Sequence, residues 1–262
     1  MLTESTLFGE VDKVKTAIDL LRQHQPPEGY YVCFSGGKDS VVTLDLVKRS
    51  GVKFDAHHNI TTVEPPELMR FIRDFYPDVV SEHPQISMAQ LIVKKKIPPL
   101  RMVRYCCSEL KEKGGKGRFK VTGIRAEESP RRAKRHQLEK AHDGISTFLH
   151  IIKDWSEGDV WQYIHDNNLP YCSLYDEGFK RIGCVLCPFE NGANAQRDLA
   201  RFPAIADYYR RACRKSFEVN EIHKFNSGDD MFDWWVNERH GRYIAEDCNS
   251  IPLFSEDDGS IL

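Results

Sequence analysis

The chain has 262 residues, of which 40% are hydrophobic and 29% are charged, so it is long enough for one large domain or for a domain with a sizeable appendage. No run approaches the roughly 18 apolar residues that a membrane-spanning helix needs, and we expect no membrane partner. The formal net charge of −2 excludes a general attraction to nucleic acid, although basic residues cluster between Lys94 and Arg135.

The N-terminal stretch, residues 1–27, is predicted to form a helix. Its apolar residues recur every three or four positions, as on one helical face: Leu7, Val11, Val14, Ile18 and Leu21. The stretch has no basic region followed by an apolar block, so we expect no signal peptide and a cytoplasmic location. In that compartment the eight cysteines are expected to stay reduced and not to form a disulfide framework.

Residues 28–165 are predicted to form an α/β domain. YYVCF (30–34) and VKFDAHHNI (52–60) are typical of strands, and a helical pattern between them ends near Gly51. Further strands are predicted within DVVSEH, RFKVTG and STFLHIIK, and SEGDVWQYI predicts a helix start with a capping box between Ser156 and Asp159. Strands that alternate with helices form a doubly wound parallel sheet. Residues 166–262, which carry a Cys-x-x-Cys pair, are predicted to form a helical C-terminal region.

A glycine-rich turn follows the first predicted strand and opens a helix. It consists of Ser35, Gly36, Gly37, Lys38, Asp39 and Ser40. The free N–H groups and the positive dipole end at a helix start suit an anion, the glycines let the backbone wrap around phosphate oxygens, and the lysine adds a charge. An ordinary tight turn is the alternative. The turn is not a Walker A loop, which has four residues between its glycines.

A second polar segment follows a later strand, at Thr122, Gly123 and Arg125. The carboxyl ends of the strands line the ligand crevice of a doubly wound sheet, so we expect these residues to meet the same ligand as the glycine-rich turn. The basic stretch that follows indicates either a solvated loop or a nucleic-acid contact, and charge alone does not decide between them. It contains Arg131, Arg132, Lys134 and Arg135.

Two cysteine pairs indicate a metal site. Cys184 and Cys187 are three positions apart, a spacing compatible with a redox disulfide, half of a zinc site or half of an iron–sulfur site. Cys106 and Cys107 are adjacent, and neighbouring residues on a helix point about 100° apart. Two such thiolates converge poorly on one tetrahedral zinc but can reach separate irons of a [4Fe–4S] cluster. The four cysteines are therefore predicted to hold a cluster, with zinc as the alternative and Cys172 as a spare candidate.

The chain resembles a known family over most of its length. SGGKDS resembles the PP-loop of the ATP pyrophosphatases. Within that superfamily, the chain is similar to the phosphoadenosine phosphosulfate (PAPS) reductase family. The matching stretches are VEPPELMRF, RYCCSELK, VTGIRAEESPRR, IIKDWSEGDVWQYI and LPYCSLYDEGFKRIGCVLCP.

The resemblance implies an adenine nucleotide alpha-hydrolase-like fold that binds ATP or another adenine nucleotide, and we also expect Mg²⁺. The candidate catalytic residues are Lys38, Asp39 and Arg125. The candidate nucleotide-binding residues are those three together with Ser35, Gly36, Gly37, Ser40, Thr122 and Gly123. The resemblance also implies a [4Fe–4S] cluster, because adenosine 5'-phosphosulfate (APS) reductases bind one through Cys-Cys and Cys-x-x-Cys.

Three functions are compatible with these motifs. The first is ATP pyrophosphatase-type activation of a substrate coupled to sulfur transfer. The second is reduction of APS or PAPS to sulfite, and the third is a nucleotide-binding regulatory module without turnover. Two features favour the first. The glycine-rich loop is intact, whereas the reductases tend to carry a degenerate loop because their substrate has no β- and γ-phosphates. The tail around Cys248, AEDCNS, also lacks the Glu-Cys-Gly-x-His pattern of the reductases. We therefore predict that Cys248 is not a catalytic nucleophile. A sulfur donor or reductant protein, a nucleic-acid substrate and a homo-oligomer stay open as partners.

Overall fold

The computed structural model describes residues 2–6, 9–141, 143–190, 192–220 and 224–238. The chain forms two compact units, each built from separate segments. The first unit contains Met1–Asn59, Pro66–Glu82 and Gly114–Ile182. The second contains Ile60–Pro65, His83–Lys113 and the described part of Gly183–Leu262. The contiguous domains predicted from the sequence stay a prediction.

Two short paired strands precede the first helix. Strand β1 (Thr3–Thr6) pairs antiparallel with β2 (Gly9–Asp12), and helix α1 follows at Lys13–Gln23. The prediction of a helix over the whole of residues 1–27 is wrong at its start. Asp12 is the reason, since its carboxylate accepts the N–H groups of Val14 and Lys15 at 2.9 and 3.0 Å and so fixes the beginning of the helix.

The first unit is built around a six-stranded sheet in the order β5-β4-β3-β6-β8-β7. The strands are β3 (Tyr30–Cys33), β4 (Phe54–Asn59), β5 (Val80–Glu82), β6 (Phe119–Val121), β7 (Leu138–Lys140) and β8 (Thr147–Leu149). All neighbours are parallel except β7, which runs antiparallel to β8. The predicted α/β class is thus confirmed, whereas the antiparallel edge strand was not predicted.

The helices of the first unit alternate with these strands. After α1 they are α2 (Lys38–Ser50), α3 (Pro66–Phe75), the short α6 (Pro130–Ala133) and α7 (Glu157–Asp166). Gly51 ends α2 with φ of +74°, as predicted for a C-terminal cap. Ser156 caps α7 through a capping box with Asp159, also as predicted.

The strand order reverses between β3 and β6. From β3 the chain continues outward through β4 and β5, while β6 returns to the other side of β3 and leads on to β8. Ligands of open α/β sheets bind at such a switch point, beyond the carboxyl ends of the two strands. Residues 34–40 and 122–125 follow these two strand ends.

The second unit is helical in its described residues. Its helices are α4 (Met88–Lys95), α5 (Tyr105–Leu110), α8 (Gly192–Arg201), α9 (Pro203–Asn220) and α10 (Gly228–Glu238). Helix α9 packs against α4, α8 and α10, and Trp235 is fully buried with its indole N–H donating to the Pro99 carbonyl at 2.8 Å. Across the described part of the chain, no helix combines the length and the apolar character needed to cross a membrane.

Candidate functional site

The glycine-rich loop joins β3 to α2 and is held by hydrogen bonds between its own residues. Gly36 has φ of +74°, and a Cβ there would lie 2.6 Å from Leu68 Cδ1, so both the backbone conformation and the space require glycine. Ser40 Oγ accepts the Ser35 N–H at 3.2 Å and donates to the Gly37 carbonyl at 2.8 Å. These bonds hold the loop around the N-terminus of α2, where backbone N–H groups favour an anion.

Lys38 is the first residue of α2, and its side chain is buried. Its Nζ donates to the Lys180 carbonyl at 3.2 Å and lies 3.4 Å from Glu157 Oε1 and 3.6 Å from Asp39 Oδ2. The Tyr175 hydroxyl accepts the Lys38 N–H at 2.9 Å, and the ring of Tyr175 lies 5.5 Å from Nζ. These contacts fix the ammonium group beside the loop.

Asp39 links the two candidate cations of the site. Its Oδ1 accepts Arg125 Nε at 2.5 Å, while its Oδ2 faces Lys38. Arg125 is only 4% exposed, and it also donates from Nη1 to Glu127 Oε2 at 2.7 Å. Burial alone would lower the pKa of Arg125, but the charge and hydrogen bond of Asp39, with the charges of Glu128 and Glu127, raise it above its ordinary value. The guanidinium therefore stays charged.

The end of β6 lies directly against the start of α2. A Cβ on Gly123 would lie 2.8 Å from the Asp39 carbonyl oxygen and 2.9 Å from Thr43 Oγ1, so only glycine permits this approach. Thr122, the preceding residue, has its Oγ1 2.6 Å from His150 Nδ1. Residues 122–125 and the glycine-rich loop thus occupy one edge of the first unit.

All the nucleotide-site residues predicted from the sequence come together at this edge. Three further residues that contact Lys38 were not predicted: Glu157, Tyr175 and Lys180. Tyr175 and Lys180 lie within the matching stretch LPYCSLYDEGFKRIGCVLCP, and the resemblance of that stretch to the family was the one sequence feature that could have identified them as site residues. Glu157 was interpreted only as part of a helix start.

The four candidate metal ligands all belong to the second unit. Cys106 and Cys107 lie in the first turn of α5, and Cys184 and Cys187 lie in the turn before α8. Cys172, the spare candidate, belongs to the first unit and is fully buried. The seven cysteines among the described residues are all free thiols, and Cys248 lies outside those residues.

The four thiols lie close enough to perturb one another. The hydrogen bond with Cys107 raises the pKa of Cys106 well above its ordinary value, and burial and the charges of Cys184 and Cys187 act in the same direction. Burial, with the charge of Cys184, raises the pKa of Cys187 to about 11. Cys106 is therefore near enough to Cys184 and Cys187 for their charges to affect its pKa.

The backbone around the Cys-x-x-Cys turn is held by three hydrogen bonds within the second unit. The Leu186 N–H donates to Asp198 Oδ2 at 2.8 Å, and the Val185 N–H donates to the Val63 carbonyl at 2.9 Å. The Tyr209 hydroxyl donates to the Val185 carbonyl at 3.3 Å. Leu186 has φ of +56°, an uncommon conformation for a non-glycine residue, and the surrounding bonds stabilise it.

Two polar groups border the thiols. Thr61 Oγ1 lies 3.2 Å from Cys184 Sγ. The charge of the Cys184 thiolate, with those of Cys107 and Cys187, raises the pKa of Lys111 above its ordinary value, although burial opposes this. A lysine ammonium beside several thiolates offsets part of their negative charge.

No group of three or more His, Cys, Asp or Glu side chains is arranged to hold a metal ion within the described ranges. The chemistry of the four thiols nevertheless fits an iron–sulfur cluster, because four cysteine thiolates are the usual ligands of a [4Fe–4S] cluster and each would ligate a separate iron. The neighbouring Lys111 also suits a negatively charged cluster.

Comparisons with known proteins identify the family. A model of the phosphoadenosine phosphosulfate reductase domain matches residues 29–190, more than half of the chain. The chain belongs to the PAPS reductase family. This family match spans both the glycine-rich loop and the two cysteine pairs.

Two curated proteins illustrate what the chain is similar to. An APS reductase of Lysinibacillus sphaericus is 28% identical over 205 residues, which are 70% of this chain and 85% of that protein. An uncharacterized protein of Methanocaldococcus jannaschii is 29% identical over 210 residues, which are 73% of this chain. The chain spans only 42% of that relative's length.

A solved structure supports the fold of this PAPS reductase family member. The PAPS reductase from Candida auris, in a phosphate complex, has a TM-score of 0.50 and 18% sequence identity, and the match covers 64% of this chain and 88% of that one. The predicted adenine nucleotide alpha-hydrolase-like fold is confirmed.

Proposed function

We propose that the chain binds an adenine nucleotide with its phosphates on residues 35–40. The observation that carries this proposal is the pairing of two buried cations, Lys38 and Arg125, with one carboxylate, Asp39, at the switch point of the sheet. Phosphate oxygens can replace part of that pairing, since charge-assisted hydrogen bonds to phosphate are strong. Thr122 and Gly123 border the same site, and Mg²⁺ would offset further phosphate charge.

The proposed reaction is cleavage of ATP between the α- and β-phosphates, coupled to sulfur transfer. An acceptor oxygen attacks the α-phosphorus, the bond to the bridging oxygen breaks, and pyrophosphate leaves. Lys38 and the loop amides stabilise the charge that develops on this leaving group. A sulfide sulfur from a donor then attacks the activated acceptor carbon, and the carbon–oxygen bond to AMP breaks so that AMP leaves. The intact loop SGGKDS supports this reaction over one whose substrate has no β- and γ-phosphates.

Sulfonucleotide reduction is the second candidate. The APS reductase relative, matched over 85% of its length, favours it. In that chemistry a thiolate sulfur attacks the sulfate sulfur of APS, AMP leaves, and a thiol reductant releases sulfite. The tail that would supply the nucleophile includes Cys248, outside the described residues, and its sequence AEDCNS lacks the reductase pattern.

The proposal includes a [4Fe–4S] cluster held by Cys106, Cys107, Cys184 and Cys187. Its support is the donor set, four thiols in one unit with Lys111 beside them. When bound, such a cluster supplies electron-transfer chemistry. The chain's own residues position the ligands: Asp198 and the Val63 carbonyl accept the N–H groups of Leu186 and Val185 and so hold the turn that carries the second pair.

The partners and location remain part of the proposal. The proposed chemistry is compatible with a sulfur donor or reductant protein and with a nucleic-acid acceptor. We also propose a cytoplasmic location, and a homo-oligomer stays open. The exposed side chains of Arg131 and Lys134 support a nucleic-acid acceptor, because unpaired surface cations attract phosphates.

Product analysis tests the reaction. Anaerobically purified protein is given ATP with a nucleic-acid acceptor and a sulfide donor, or APS with a thiol reductant, and the products are separated by chromatography. We expect AMP and pyrophosphate from ATP. Formation of ADP and phosphate alone would contradict the proposal, and sulfite from APS without ATP cleavage would favour the reductase. Lys38→Ala should lose the activity, and Lys48→Ala, at the far end of α2, should keep it.

A further inference from the structure

A chain of hydrogen bonds runs away from the proposed nucleotide site through the sheet of the first unit. Thr122 Oγ1 lies 2.6 Å from His150 Nδ1, and His150 Nε2 lies 3.3 Å from Glu139 Oε1. Thr122 follows β6, His150 follows the adjacent β8, and Glu139 belongs to β7 at the sheet edge. The register of these strands brings all three side chains to one face of the sheet.

The two outer groups determine where the protons lie. Burial would raise the pKa of Glu139, but hydrogen bonds from Arg135 and His150 hold it below its ordinary value, so the carboxylate is ionised and can only accept. His150 is fully buried. Burial, with the charges of Arg135 and Arg132, lowers the pKa of His150, although Glu139 opposes this. The imidazole is therefore neutral near neutral pH.

A neutral imidazole carries one N–H, and here it must face the carboxylate. His150 Nε2–H thus donates to Glu139, and Nδ1 is left as an acceptor. The only partner for Nδ1 along this chain of bonds is the Thr122 hydroxyl, which must donate its single proton to it. The Thr122 oxygen then has only lone pairs to offer to a ligand.

We propose that Thr122 accepts a hydrogen bond from an N–H or O–H donor of the bound nucleotide, and that His150 and Glu139 are positioning residues that fix this polarity. Thr122 directly precedes Gly123, where a Cβ would lie 2.8 Å from the Asp39 carbonyl oxygen, so Thr122 borders the nucleotide site. A phosphate oxygen cannot donate, and Thr122 therefore does not bind the phosphates. The donor is a ribose hydroxyl or the exocyclic amine of the base. This inference rests on the proposed nucleotide site.

Calorimetric titrations with analogues test the inference. The ligands are ATP, its 2'-fluoro and 3'-fluoro analogues, inosine triphosphate and pyrophosphate, and the proteins are wild type, Thr122→Val and Thr147→Val. Thr147→Val is a matched control on β8, where the hydroxyl accepts from Lys140 Nζ. One ordinary hydrogen bond is worth about 0.5–1.5 kcal/mol, so we expect wild type to bind one analogue about two- to tenfold more weakly than ATP.

The variants separate this inference from the proposed function. Thr122→Val should remove the discrimination against that analogue and leave pyrophosphate affinity unchanged, while Thr147→Val should behave as wild type. Unchanged discrimination in Thr122→Val, or weaker binding of pyrophosphate by it, would overturn the inference while the nucleotide site stands. Failure of wild type to bind ATP or pyrophosphate would instead refute the proposed function.

A spectroscopic measurement tests the two positioning residues directly. Nitrogen-15 NMR of the histidine rings distinguishes a protonated from a bare ring nitrogen, and the His150→Phe variant assigns the His150 signals. We expect a bare Nδ1 and a protonated Nε2. A protonated Nδ1 would overturn the proposal, since Thr122 would then be free to donate.

Discussion

At the scale of single residues, Asp39 holds the candidate site together. It pairs with Arg125 through one oxygen and with Lys38 through the other. Burying one of these cations without a partner would be costly, so the carboxylate keeps both charges in place before a ligand arrives. Because the two cations are also paired elsewhere, with Glu127 and Glu157 respectively, a phosphate can compete for them without leaving either one isolated.

Gly36 gives a prediction at this scale, with Gly51 as a matched control. Both have φ of +74°, but a Cβ on Gly36 would strike Leu68, whereas Gly51 faces open space. The left-handed conformation should cost each alanine variant about 1–2 kcal/mol of unfolding free energy. Only Gly36→Ala should lose more unfolding free energy than that. It should also bind ATP more weakly, because the glycine-rich loop must shift to make room for the methyl group.

Urea denaturation and ATP calorimetry on the two variants check this. Equal stability losses and wild-type ATP affinity in Gly36→Ala would show that the loop tolerates a side chain, contrary to the geometry described.

Part of this residue-scale picture was predictable. A strand followed by two glycines and a lysine indicates a phosphate loop because of local geometry alone. The pairing of Asp39 with Arg125 joins residues 86 positions apart, and no local pattern encodes it. The contact of Tyr175 with Lys38 joins residues that are even farther apart in the sequence, 137 positions.

At the scale of elements, capping determines where the helices begin. Ser156 accepts the Asp159 N–H at 3.0 Å, and Asp159 accepts the Ser156 N–H at 2.7 Å. This capping box was predicted from SEGD, since a serine three positions before an acidic residue is a local signal. The predicted start of α1 was wrong because Val11 fits the helical spacing although it lies in β2. Asp12, the N-terminal cap, marks the true start of the helix.

Removing the α7 cap should destabilise the first unit. We expect Ser156→Ala to lower the free energy of unfolding by about 1 kcal/mol, because an N-terminal N–H loses its acceptor. Asp166→Asn, at the exposed end of the same helix, should cause no loss, since a carboxylate there faces the negative end of the helix dipole. Urea midpoints of the two variants measure this, and an unchanged midpoint in Ser156→Ala would refute the role of the cap.

At the scale of the whole molecule, the two candidate sites belong to different compact units. The nucleotide-site residues lie in the first unit, and the four cysteines lie in the second. Each unit combines segments that are far apart in the sequence. A local sequence pattern does not reveal such a combination, and it therefore leads to a prediction of contiguous domains. The α/β class with its mostly parallel sheet, by contrast, follows from the alternation of strands and helices.

The proposed iron–sulfur site gives a prediction at this scale, because Cys106, Cys107, Cys184 and Cys187 all belong to the second unit. Protein purified without oxygen should be brown and contain about four irons per chain. Cys184→Ser should lose iron, and Cys213→Ser, a buried cysteine of α9 in the same unit, should retain it. Stoichiometric zinc would favour the zinc alternative, and a metal-free protein would end the proposal.

The central claim is that the phosphates of an adenine nucleotide lie on residues 35–40 beside Lys38, and ATP calorimetry tests it most directly. A lost charge-assisted hydrogen bond costs about 1.5–3 kcal/mol, so Lys38→Ala should bind ATP roughly ten- to a hundredfold more weakly than wild type. Lys48→Ala, which removes an exposed lysine from the same helix, should bind ATP as wild type does. Equal ATP affinities of wild type and Lys38→Ala would contradict the account.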